Sequence, residues 1–124
     1  MATLSKSWTS ETTIMNAVSV TTGSWSDDVD LETSGYEGAH VTVDADFQAS
    51  PTDNLIVEIR ASLDGTNYDD TPLISLTIDK TTDPNQVSFI IADVANFKLF
   101  CKRSGTTDTI TVTAKYQAWR YASA

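Results

Sequence analysis

The chain has one cysteine and one histidine among its 124 residues. A lone Cys101 closes no intramolecular disulfide, so nothing here marks an oxidising compartment. A zinc site needs clustered Cys and His, and one of each is too few. A Ser-His-Asp triad needs an imidazole to move protons, and His40 sits on a polar, alternating segment beside Thr42 and Asp44. The strained G-x-S-x-G turn of a serine hydrolase is missing. Cationic side chains are also scarce: 8 Lys and Arg face 17 Asp and Glu, for a net charge of −9. Phosphate contacts need clustered Lys and Arg, so the charge argues against nucleic acid as a partner, and against anionic membrane. No apolar run is long enough to span a bilayer. Met1-Ala-Thr-Leu-Ser-Lys6 lacks the apolar centre of a signal peptide, so synthesis and folding in cytoplasm are expected. Helix formers are few, and no stretch keeps a helical period for three turns.

What the chain has in abundance is Thr and Ser, 32 residues or about a quarter of the total. Thr is β-branched and suits the half-buried face of a sheet. Residues 39–47 alternate cleanly, with Ala39, Val41, Val43, Ala45 and Phe47 on one side and His40, Thr42, Asp44 and Asp46 on the other. A period of two over this length is a strand with one wet face. Leu55, Val57, Ile59, Ala61 and Leu63 form the next apolar face, so a hairpin is expected across Ala49–Asp53. Further strands are expected near 13–20, 25–32, 73–78, 87–91, 97–103 and 109–121. A second hairpin is expected to close at Ser104–Asp108. About eight strands with turns every 8–12 residues and no helix predict an all-β fold. We expect a single antiparallel β-sandwich, jelly-roll-like, over residues 13–124, preceded by a polar N-terminal arm at 1–12. A chain of this length buries roughly two-thirds of its unfolded surface, enough for one core.

Charge is unevenly placed: residues 1–96 carry −13 and residues 97–124 carry +4. An acidic body with a basic patch can steer onto copies of itself or onto another acidic protein. Paired carboxylates hydrolyse glycosides when an apolar pocket raises one pKa. Asp44 and Asp46 share a strand face about 7 Å apart, but that face is polar. Asp64, Asn67, Asp69 and Asp70 crowd one loop with oxygen ligands and are the calcium candidates. The same Asp64-Gly65-Thr66-Asn67 run is ordinary turn chemistry, because Asp and Asn bond their own backbone and Gly takes positive φ. Cys101 alternates with Phe97 and Leu99 and is expected to be a small buried hydrophobe. We assign no catalytic residue and no cofactor. The interface candidates are Trp8, Tyr68, Lys98, Lys102, Lys115, Trp119, Arg120 and Tyr121, because exposed aromatics and cations anchor protein contacts.

Three segments carry a resemblance: Val57-Glu-Ile-Arg-Ala-Ser-Leu-Asp-Gly-Thr-Asn-Tyr-Asp-Asp70, Val87-Ser-Phe-Ile-Ile-Ala-Asp-Val-Ala-Asn-Phe-Lys-Leu99 and Asp108-Thr-Ile-Thr-Val-Thr-Ala-Lys-Tyr116. In this order they resemble the small β-sandwich virion proteins of tailed bacteriophages, over roughly residues 25–121. The resemblance implies a non-enzymatic structural subunit, often trimeric, that decorates or cements the capsid or serves as a tail or neck accessory. Its implied partners are the major capsid protein and further copies of itself, and its implied location is the virion. The S-x-D-G-x-N-Y run also recurs in carbohydrate-binding and receptor-binding sandwiches, which is the alternative class.

Overall fold

The computed structural model describes residues 4–123. Ten strands and no helix lie within them: β1 (Leu4–Trp8), β2 (Thr12–Val20), β3 (Ser24–Trp25), β4 (Val29–Asp30), β5 (Gly38–Phe47), β6 (Leu55–Ser62), β7 (Ile74–Ile78), β8 (Asn85–Ala92), β9 (Asn96–Arg103) and β10 (Ile110–Ser123). The first three residues of the expected arm and Ala124 lie outside the described residues.

Two antiparallel sheets form a sandwich. Sheet A runs β2-β10-β5-β8, with β1 continuing the β2 edge along the far end of β10. Sheet B runs β3/β4-β9-β6-β7. From β5 onward the chain changes sheet at every step except the β6–β7 hairpin, and β2 crosses to β3 in the same way. That order and alternation make a jelly roll. The count exceeds eight because the expected 25–32 strand is broken into β3 and β4, and because the arm supplies β1. Along the body, Leu4–Val20 is one edge strand interrupted at 9–11, where the Thr9 amide bonds the Ala118 carbonyl at 2.8 Å.

Alternation explains most of the core. Val41, Val43, Ala45 and Phe47 of β5 meet Tyr116, Ala114, Val112 and Ile110 of β10 side by side, and face Leu55, Val57, Ile59, Phe97, Leu99 and Cys101 of sheet B. In β2 the period slips. Register shifts opposite Val112–Lys115 and a left-handed Ala17 (φ 49°) mark a bulge, and adjacent Ile14 and Met15 are both buried.

Three expectations need correction. The two expected hairpins, at Ala49–Asp53 and Ser104–Asp108, are arches between sheets, because β5 and β10 lie in sheet A while β6 and β9 lie in sheet B. A strand with one wet face reads the same whether its neighbour in sequence pairs with it or packs across from it. Leu63, expected inside, is 88% exposed, because β6 ends at Ser62, whose hydroxyl accepts the Gly65 amide and starts the turn.

Candidate functional site

The outer face of sheet A carries the first surface. β5 begins at Gly38, opposite Trp119, so β10 has no β5 partner beyond that point. Arg120–Ser123 pair only with β1, and the two segments form a ribbon that overhangs the sandwich. Register puts Leu4, Lys6, Trp8, Trp119 and Tyr121 on one side of it. The Trp119 indole is 7% exposed: it lies over Gly38, meets Trp8 in a tilted contact with ring centroids 5.2 Å apart, and receives the Lys6 ammonium at 4.7 Å. Trp119 is therefore an anchor, while Leu4 (66%) and Tyr121 (55%) stand open to solvent beside Trp8. Arg120 points to the other side, over the Tyr36 ring at 5.8 Å.

Below the ribbon, the same face holds a shallow polar groove of about 290 Å³, lined by Glu11, His40, Asp44, Gln86, Lys115 and Gln117 among others. Lys115 pairs with Glu11 at 3.2 Å. Asp44 enters the groove and Asp46 does not, so the two carboxylates do not converge on one pocket. His40 makes no hydrogen bond to a hydroxyl or thiol among the described residues. Cys101 faces the core from sheet B, on the opposite side of sheet A from His40, and burial pushes its thiol up to about 12. A Cys-His pair is thereby ruled out by geometry.

The second surface is the outer face of sheet B. Trp25, Phe100 and Glu58 lie in one row across β3, β9 and β6. Glu58 is only 8% exposed and is the hub: Arg60 and Lys102 both pair with it, Lys102 at 3.2 Å. The Arg60 hydrogen bond, helped by Lys102, holds the Glu58 carboxyl below the usual carboxylate range. Arg60 also donates to the Asp69 and Asp70 carbonyls and so ties down the loop after β6. Lys98, across from Arg60, rests over the Tyr68 ring at 4.8 Å, and the Tyr68 hydroxyl donates to Asp28. Burial, then that bond, raises the Tyr68 pKa. Trp25 packs on Phe100 at 4.8 Å and on Tyr68 at 6.3 Å, yet stays 49% exposed.

The calcium candidates do not converge. Asp64 spends its carboxylate on its own turn, accepting the Thr66 and Asn67 amides at 2.9 and 2.8 Å, the Asn67 side chain and the Ser62 hydroxyl. Those bonds, the Asn67 amide first, pull its pKa down. Among the described residues no three His, Cys, Asp or Glu side chains are grouped to hold a metal.

One cluster escaped the sequence reading. Asp108 accepts the Thr52 and Asp53 amides at 2.7 and 2.8 Å, while Asp53 accepts the Thr107 and Asp108 amides at 3.3 and 3.1 Å. The two arches are clasped by reciprocal carboxylate caps, both nearly inaccessible. The signal was a Thr-Asp dipeptide repeated in both turns, Thr52-Asp53 and Thr107-Asp108. Gly105 belongs to the clasp, since a Cβ there would lie 2.9 Å from the Asp53 carboxyl carbon.

The eight interface candidates thus divide between two faces. Trp8, Lys115, Trp119 and Tyr121 belong to sheet A and its ribbon, with Arg120 on the ribbon's reverse. Tyr68, Lys98 and Lys102 belong to sheet B. The fold and these surfaces define an all-β sandwich with two decorated outer faces. No protein-family model and no curated protein matches the chain.

Proposed function

We propose that this chain is a non-enzymatic structural subunit of a phage virion, docking on the protein shell as a decoration, head, neck or tail accessory. The observation that carries this reading is the overhanging ribbon of Leu4–Trp8 and Arg120–Ser123. A two-stranded ribbon is marginal in water, and this one exposes Leu4, Trp8 and Tyr121 on a single face. Covering that face removes apolar surface worth roughly 1.5–3 kcal/mol per fully buried large side chain. The resemblance of the three segments supplies the virion context. Of the carboxylates weighed for chemistry, Asp64 serves its own turn, and Asp44 and Asp46 do not share a pocket.

The test is co-sedimentation of the purified chain with shells assembled from the coat protein of its own source genome. The wild type is expected to pellet with the shells, and Trp8→Asp/Tyr121→Asp is expected to remain in the supernatant with its β spectrum intact. A wild type that stays in the supernatant at every concentration refutes the reading. The polar groove favours a second reading, a saccharide-binding module, because amides, carboxylates and an imidazole line it next to Trp8 and Trp119. A glycan array with no hits removes that alternative.

A further inference from the structure

The outer face of sheet B is charged along its length in a definite order. At the end where β6 finishes stand Asp28, Asp64, Asp69 and Asp70, around Tyr68. In the middle lie Trp25, Phe100 and Glu58, with Lys98 and Arg60 one row toward the acidic end. At the end where β6 begins, Lys102 pairs across from Ile56, and Lys80 sits beyond Ile78 with its amide bonded to Asn54 and the exposed Asp79 beside it. Glu58 offers one negative charge to two cations, and Lys98 has no carboxylate within 4 Å among the described residues. The face is thus net acidic at one end and net basic by one charge at the other, with a half-exposed tryptophan midway along it on the edge strand β3.

We infer that this face is a two-fold dimer contact, its occupant a second copy of the same chain. A two-fold axis through the Trp25–Phe100–Glu58 row turns one copy end for end on the other. The acidic loop of each copy then meets Lys102 and Lys80 of its partner, twice over, and the two Trp25 rings meet near the axis. Self-complementarity of one patch is what an isologous contact requires. Phe100 on the inner strand β9, Trp25 beside it and charged side chains toward both ends give the mix of aromatic and charged groups found at interfaces. The strands of sheet B alone, at about 3.3 Å per residue and about 4.8 Å apart, span about 400 Å² per copy. Two copies bury about 800 Å² through the strands, the size of a weak contact that the acidic loop then extends. Repulsion between bodies of −9 does not forbid it, because charges farther apart than about 8 Å are screened at physiological salt. The contact leaves the ribbon and sheet A free, so it stands apart from the shell-docking proposal.

Sedimentation equilibrium of the full chain from about 5 to about 500 µM, in about 0.15 M NaCl, reads the dimer directly. Asp69→Lys/Asp70→Lys reverses the acidic end, and Lys80→Glu/Lys102→Glu reverses the basic end. Each variant alone is expected to dimerise at least about tenfold more weakly than wild type, since both end-to-end contacts become repulsive. A 1:1 mixture of the two is expected to restore dimerisation, because every contact in the mixed dimer is again attractive. Misfolding cannot produce that rescue. If Lys102→Glu proves unstable beside Glu58, Lys80→Glu alone serves as the second partner. A wild type monomeric at the highest concentration overturns the inference, as does a dimer indifferent to both variants or a mixture that fails to recover.

Discussion

Gly38 should tolerate no side chain. A Cβ at this position would lie 2.6 Å from the Ile91 carbonyl oxygen and 2.6 Å from Cζ2 of Trp119, both inside van der Waals contact. The carbonyl is held by the β5–β8 ladder, and the indole is held by Trp8 and Lys6, so neither yields cheaply. Forcing a methyl into a filled site costs about 1–3 kcal/mol. Replacing Gly by Ala returns about 0.4–1 kcal/mol through the unfolded chain. The net loss for Gly38→Ala is therefore about 1–2 kcal/mol, or about 3–10 °C in Tm for a domain of this size. Urea unfolding followed by tryptophan fluorescence and by circular dichroism measures it, and the midpoint should fall with the slope unchanged. The indole's share can be isolated. In a Trp119→Leu background Gly38→Ala should cost about 1 kcal/mol less, because one of its two obstacles is gone. A Gly38→Ala protein as stable as wild type, or strictly additive costs in the double variant, refutes the placement of Trp119 over Gly38.

Two further outcomes follow from titratable groups. Asp108 and Glu58 are held below the ordinary carboxylate range, by the Asp53 amide and by Arg60 respectively. A depressed folded-state pKa gives stability that is complete above the unfolded value and is lost as pH falls through the folded one. Stability should thus be flat from neutral pH down to about pH 5 and decline below about pH 4. Asp108→Asn should be less stable at neutral pH with a shallower acid slope, read by denaturant titrations at several pH values. Cys101, with its thiol pushed up to about 12 by burial, should ignore a thiol reagent at about pH 8 in the native protein and react fully in denaturant. Reaction at equal rates in both states would contradict its burial.

The strands were legible because a half-buried strand writes its two faces into alternate residues. β5 and β10 have this form, and the structure keeps nearly every inward residue inward. Pairing partners were not legible. The same alternation in β5 and β6 fits a hairpin and an arch equally well, and the clasp that selects the arch joins residues 55 positions apart. Trp119 shows a subtler limit. Its odd position in β10 puts it on the outer face, where an exposed aromatic is expected, but it is covered by Trp8, more than a hundred residues away in sequence. The hub role of Glu58 was hidden likewise, since one of its two cations arrives from β9. Local turn chemistry fared better: Asp64 and its neighbours form the turn that their spacing suggested, with the carboxylate serving amides.

The position of β10 in sheet A has a consequence for how the chain is made. β10 lies between β5 on one side and β1 and β2 on the other. Until residues 110–123 have left the ribosome, those earlier strands have nothing to bridge them. The β6–β7 hairpin and the β6–β9 pairing of sheet B need no later residue, so sheet B can assemble first. Strand pairings that close such long loops are slow to form, and they leave unpaired edges exposed meanwhile. The Ser- and Thr-rich composition of β1 and β2 suits an edge that waits unpaired, because polar side chains make it a poor template for other chains.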